Sequence, residues 1–228
     1  MESTIPHVNV LICTPGHSVM KEYLKSLIAT FDVLNKENIS YGYSIDYSSL
    51  VADARELTLD GNFAMNQYES RPFNGQVTYD KLFWIDSDIS WTPEDFLALY
   101  KSDKDIISGG YLLPNGTVVA HKEVGSMPLT IEEFMKMKDP ESIGAVGFGF
   151  LAVKQGVFES LSRPWFQSVS LTKTNIETGI EHTFPISGED ISWCYRVGKN
   201  GYKIWIHPSV KVTHHKTMKL TWEGIRPL

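Results

Sequence analysis

Two carboxylates spaced i, i+2 close an apolar run, where Lys81-Leu82-Phe83-Trp84-Ile85 leads into Asp86-Ser87-Asp88. Strand side chains alternate with period two, so Asp86 and Asp88 can project to the same side where the strand gives way to a loop. In open α/β sheets that carboxyl edge is where ligands sit. Two acids held there form a seat for a hard divalent cation, with water and substrate phosphates filling its other positions. Capping of the next helix does not require them, because Thr92-Pro93-Glu94-Asp95 already supplies an N-cap threonine and a proline in the first turn.

A second acidic pair stands in Gly188-Glu189-Asp190-Ile191-Ser192-Trp193. Acids in the first turn of a helix answer the macrodipole, but a carboxylate in a pocket can also serve as general base toward an attacking hydroxyl. Near the C-terminus comes His214-His215-Lys216-Thr217-Met218-Lys219. A histidine just after a final strand can complete a metal site with Asp88, and the sequence does not choose between His214 and His215. Lys216 and Lys219 can grip diphosphate oxygens as point charges; a solvated tail is the other reading of the same run. Arg55, taken alone, is a surface arginine. The glycines of Gly109-Gly110 and Gly147-Phe148-Gly149 admit a ligand close to the backbone or mark tight packing.

The elements that must position these residues follow from periodicity. Val8 to Thr14 reads as a buried strand stopped by Pro15-Gly16. Met20, Leu24, Leu27, Ile28, Phe31 and Leu34 mark the buried face of a helix. Ile39 to Asp46 is a second strand. Ser48 or Ser49 caps a helix through Leu50, Val51, Ala54 and Leu57 and onward toward Met65. The strand ending at Asp86, a helix from Pro93 to Tyr100 and a short strand Asp105 to Tyr111 follow. This alternation predicts a parallel sheet with helices on its faces. Further on, Thr117 to His121 is a strand, Thr130-Ile131-Glu132-Glu133 a capping box, and Gly144 to Val153 a strand studded with glycines. Residues 168–187 suggest a long mobile loop. A helix opened by Gly188-Glu189-Asp190 ends near Gly198 to Gly201, and Tyr202 to Ile206 and Val210 to Thr213 close the sheet.

The 228 residues fit one domain with a sizeable core, at 42% hydrophobic and 12% aromatic content. A formal charge of -6 with scattered cations argues against nucleic-acid or membrane-surface binding. Cys13 and Cys194 fit no metal or redox spacing, so a reducing compartment is the expectation. No apolar run spans a bilayer and no basic-then-apolar leader stands at the start, which together predict a soluble, cytoplasmic protein.

Asp86-Ser87-Asp88 after an apolar strand, then Gly188-Glu189-Asp190-Ile191, then Gly201-Tyr202-Lys203-Ile204 before a terminal histidine, resemble in that order the motifs of GT-A glycosyltransferases. The chain is similar to a small single-domain member related to the family 2 enzymes, of a type found in viral and bacterial sugar-modifying systems, and the likeness runs from Val8 to His214. It implies an α/β GT-A (Rossmann-like) fold with a mixed, mainly parallel sheet in one domain over 1–228. The nucleotide-binding half would cover about 1–110 and the acceptor-binding half about 111–228. It implies a UDP- or GDP-sugar donor, a carbohydrate or glycoconjugate acceptor, and Mn2+ or Mg2+, with a host-cytoplasmic location if the protein is viral. By position, Asp86, Ser87 and Asp88 match the metal and nucleotide-sugar motif, with Asp86 and Asp88 both metal ligands and Asp88 favoured for direct contact, and His214 matches the C-terminal metal ligand. Thr14-Pro15-Gly16 matches the loop lining the base, and Ala54-Arg55-Glu56 an Ala-Arg-Asn element whose arginine faces the nucleotide. Gly109-Gly110-Tyr111 would floor the donor-sugar pocket. Lys216 and Lys219 fall to the diphosphate, Phe148, Gly149 and Trp193 to the acceptor side, and Glu189-Asp190 to catalysis. Two departures stand out: Ile45-Asp46-Tyr47-Ser48 replaces the usual Asp-Asp-Gly-Ser, and Glu56 replaces Asn.

The activity this implies is metal-dependent transfer of a sugar to an acceptor hydroxyl. A cation neutralises the departing diphosphate, and Asp190 takes the hydroxyl proton, giving inversion, although no residue here separates inversion from retention. Residues 168–188 and the segment around Trp222 would close over the donor. Two alternatives share the fold. A sugar nucleotidyltransferase usually opens with a glycine-rich basic loop, and Thr14-Pro15-Gly16-His17 has one glycine and no arginine. A catalytically silent nucleotide-sugar-binding module fits less well with intact acids at both positions.

Overall fold

Strands apolar on both faces need cover on both faces, and here helices supply it. A computed structural model describes residues 5–60, 71–186, 188–216, 218–221 and 224–227. In chain order its elements are β1 (His7–Pro15), α1 (Lys21–Lys36), β2 (Tyr41–Asp46), α2 (Val51–Thr58), β3 (Thr78–Ile85), β4 (Ile89–Ser90) and α3 (Pro93–Lys101). Then come β5 (Ile106–Gly110), β6 (Thr117–His121), β7 (Pro128–Thr130), α4 (Ile131–Lys136), β8 (Glu141–Ile143), β9 (Ala145–Val146) and β10 (Phe150–Lys154). The chain ends with β11 (Ser170–Thr174), β12 (Glu181–Pro185), α5 (Glu189–Lys199), β13 (Ile204–Lys211), β14 (Thr213–His214), β15 (Met218–Thr221) and β16 (Gly224–Pro227).

The central sheet runs β2-β1-β3-β10-β5-β13-β8. Strands β1, β2, β3, β5 and β13 are parallel, while β10 and β8 run against their neighbours. Its two faces divide β3 by alternation. Leu82 and Trp84 join one core with Trp193, Cys194 and Val197 of α5, and Phe83 and Ile85 join the other with Tyr23 and Leu27 of α1 and Phe96 of α3. The predicted capping box of Thr130 with Glu133 forms, and the predicted N-cap Thr92 forms one too, with Asp95.

Three expectations change. The stretch 144–153 is not one strand but two, β9 and β10, because Gly147 and Gly149 leave room for the Tyr111 ring: a Cβ there would lie 2.2 Å and 2.6 Å from its atoms. The predicted loop is in large part the hairpin β11–β12, in register from Ser170–Pro185 to Thr174–Glu181 and exposed along most of its length. The two predicted closing strands are one, β13, which continues through Pro208 with a register shift between His207 and Lys211. The extension of α2 toward Met65 falls on residues 61–70, outside the described ones.

Candidate active site at the carboxyl edge of the sheet

Strand β3 delivers Asp86 and Asp88 to the carboxyl edge, and the β14–β4 ladder, pairing His214 with Ile89, brings the chain end back beside them. Asp88 Oδ2 lies 3.2 Å from His214 Nε2 and accepts from Lys216 Nζ at 2.7 Å. Burial pushes the Asp88 carboxyl up, but the His214 and Lys216 hydrogen bonds and charges outweigh it and hold it at about 2. His214 Nδ1 sits 2.9 Å from the Leu112 carbonyl, an acceptor only, so Nδ1 carries a proton. His215 turns away, with Nε2 2.7 Å from Ser90 Oγ. The choice that sequence left open falls to His214 as the cleft residue.

With Nδ1 protonated, the neutral tautomer of His214 aims a lone pair at an ionised carboxylate, a contact that needs either a second proton or a cation between the two. Burial pulls His214 down, yet Asp88 and the Leu112 carbonyl leave it above its ordinary value. The 3.2 Å separation also matches two neighbouring ligands of one ion at bond lengths of about 2.1 Å. Among the described residues, no group of three or more His, Cys, Asp or Glu is placed to hold a metal ion. The Asp88–His214 pair could supply two donors to a divalent ion whose other positions go to phosphate and water.

Asp86 behaves differently. Its Oδ1 accepts from Arg55 Nη2 at 3.2 Å, and its backbone N–H donates to the Gly149 carbonyl at 3.1 Å. Arg55 comes from α2, is buried rather than on the surface, and donates through Nε to Glu189 Oε1 at 3.0 Å. Beneath it lie Phe148 and Trp84, with ring centroids 5.1 Å and 5.6 Å from its Cζ. Asp190, at the start of α5, is raised to about 6 by burial and by Glu189, against the opposing pull of Arg55. Gly188 precedes it at φ +86°, and a Cβ there would lie 2.5 Å from Asp190 Oδ1. Only glycine makes that turn and clears the carboxylate.

These side chains share a cleft of about 420 Å3, whose walls include Pro15, Gly16, Arg55, Asp86, Ser87, Asp88, Tyr111, Asp190, His214 and Lys216. Tyr47, Ser48 and Ser49 form another part of the wall, at the point where the sequence departs from the usual acidic motif. Other expected residues lie elsewhere. Thr14 is buried with its hydroxyl on Tyr23. Phe148 and Trp193 are fully buried, their rings in edge contact at 4.9 Å beneath the site. Gly110 faces the Phe134 ring, 2.5 Å from where a Cβ would sit, and Gly149 receives the Tyr111 ring and donates its N–H to that hydroxyl. The Lys219 side chain and Trp222 lie outside the described residues. Glu56, the other departure, accepts from the Phe166 N–H at 2.8 Å and faces Arg163, so it anchors a loop. Sequence reasoning missed the Leu112 carbonyl, because a backbone acceptor has no residue signature.

No protein-family model matches the chain, and no curated protein matches it by sequence. Solved structures do. A197 from STIV is 18% identical at a TM-score of 0.55, with 96% of this chain and 93% of that one covered. GalNAc-T7, solved with UDP, GalNAc and Mn2+, is 15% identical at a TM-score of 0.50, with 94% of this chain and 44% of that one covered. The likeness is one of fold: a single-domain, mixed α/β chain of GT-A type with a mostly parallel seven-stranded sheet. Nothing in it singles out family 2. Among the described residues, no helix is long and apolar enough to cross a membrane.

Proposed function

We propose that the chain is a glycosyltransferase that moves a sugar from a nucleoside-diphosphate sugar to an acceptor hydroxyl. One observation carries this reading: a cation-competent pair, Asp88 with His214, and a buried carboxylate of raised pKa, Asp190, open on the same cleft. Support comes also from GalNAc-T7, which was solved with UDP, GalNAc and Mn2+ and shares the fold.

Asp88 and His214 are the residues that would hold Mn2+ or Mg2+, and a bound ion supplies neutralisation of the charge a leaving diphosphate acquires. Lys216 adds a positive charge beside it. Pro15, Gly16 and Ser87 line the same cleft as Asp88 and would face the nucleotide. Asp190 takes the proton of the acceptor hydroxyl, and attack from that side gives inversion. Residues of about 1–110 would then serve mainly the donor, and those after them the acceptor. The β11–β12 hairpin, which precedes Gly188 in the chain, would meet the acceptor.

Incubation with a panel of UDP- and GDP-sugars, Mn2+ and simple glycoside acceptors tests the reading. Release of nucleoside diphosphate with a glycosylated product is the expected result. Pyrophosphate formed from sugar phosphate and nucleoside triphosphate would instead make the chain a nucleotidyltransferase, and nucleotide-sugar binding without turnover a silent module.

A further inference from the structure

Resting on the transfer reading, we propose that Arg55 is a positioning residue that clamps the donor side of the cleft to the acceptor side, and not a ligand of the nucleotide. The guanidinium is already committed. Nη2 donates to Asp86 at the end of β3, Nε donates to Glu189 at the start of α5, and one flat face lies over the Phe148 and Trp84 rings. The remaining nitrogen, Nη1, is buried with no partner among the described residues, and the whole residue is 3% exposed. Although Arg55 stands in the cleft wall, Nη1 has almost no solvent-accessible surface and the other two nitrogens are taken by the acids.

The clamp joins elements that nothing in the chain order holds together. Asp86 ends a central strand, Glu189 begins a helix packed on one face of the sheet, and Arg55 arrives from a third element, α2. Asp88 lies two residues beyond one arm and Asp190 one residue beyond the other, so the fork sets the spacing between the cation-competent pair and the base. The rigid planar fork suits this task, because two donors on one plane fix direction as well as distance. Lysine keeps the charge but cannot make both bonds in that geometry.

Arg55→Lys, compared with the parent for nucleoside-diphosphate affinity in Mn2+ by calorimetry and for steady-state transfer, tests the clamp. The expected result is a Kd within about twofold of the parent and a kcat lower by tenfold or more, the scale on which misplaced catalytic groups lose rate. A Kd raised tenfold with kcat kept would make Arg55 a nucleotide ligand and overturn the proposal, as would no change in either. Glu189→Gln supplies the second arm of a double-mutant cycle. The cost of Arg55→Lys should shrink severalfold in that background, and equal cost in both overturns the clamp. Should the parent turn over no nucleotide sugar, the transfer reading fails by itself. The same cycle read in thermal unfolding then decides the clamp: non-additive shifts support it and additive ones reject it.

Discussion

Asp88 and Asp190 carry opposite electrostatic histories within one cleft. Positive neighbours hold Asp88 ionised far below neutrality, while burial and a neighbouring acid keep Asp190 protonated up to about pH 6. Asp88→Asn is expected to lower Mn2+-dependent nucleoside-diphosphate affinity at least tenfold without loss of fold, which a thermal-shift titration reads directly. Asp190→Asn should keep donor affinity and lose at least a hundredfold in kcat, the usual scale of a general base. In the parent, kcat should rise through about pH 6, because the base works only when ionised; a profile flat from pH 5 to 8 would remove Asp190 from that role. A stability effect accompanies it. The unfolded chain releases this proton near 3.8 and the folded chain near 6, so the folded state binds more protons between those values and stability falls as pH rises across them. Asp190→Asn removes that penalty, and its melting temperature at pH 8 should exceed the parent's by a few degrees, corresponding to about 1–2 kcal/mol.

At the scale of elements, the glycines at 147 and 149 seat Tyr111, whose hydroxyl accepts the Gly149 N–H, while the Gly149 carbonyl accepts the Asp86 N–H. A side chain at 149 therefore disturbs both the packing of β10 and the floor under Asp86. Gly149→Ala should cost about 1–3 kcal/mol in urea unfolding, the range for forcing atoms into a filled core. The hairpin is the opposite case. It is exposed along most of its length and tied at its base through the Ile186 N–H to Val169 and the Val169 N–H to Ser192. An isolated two-stranded ribbon contributes little stability of its own. Replacing residues 172–183 with a short Gly-Ser turn should leave the urea midpoint unchanged while raising KM for the acceptor; a large drop in stability would give the hairpin a structural role instead.

At the scale of the whole molecule, the chain itself announced a doubly covered, mainly parallel sheet, because apolar runs of strand length alternating with helical faces have few other ways to bury both sides. The β3 acids, the helix starts at Thr92 and Thr130 and the acids opening α5 were legible for the same reason, since each depends on residues adjacent in sequence. What tertiary structure decided is which distant groups meet. The imidazole of His214 rather than that of His215 reaches the Asp88 carboxylate because the β14–β4 register places it there. Arg55, which as a lone residue reads as a surface cation, is drawn into the core between acids from β3 and α5 over an aromatic floor. Phe148 forms part of that floor and Trp193 packs against it instead of meeting solvent, a matter of which sheet face each strand and helix covers. Local pattern determines which elements form, whereas pairing between them depends on the summed packing of residues more than a hundred positions apart, and no short stretch of the chain encodes that sum.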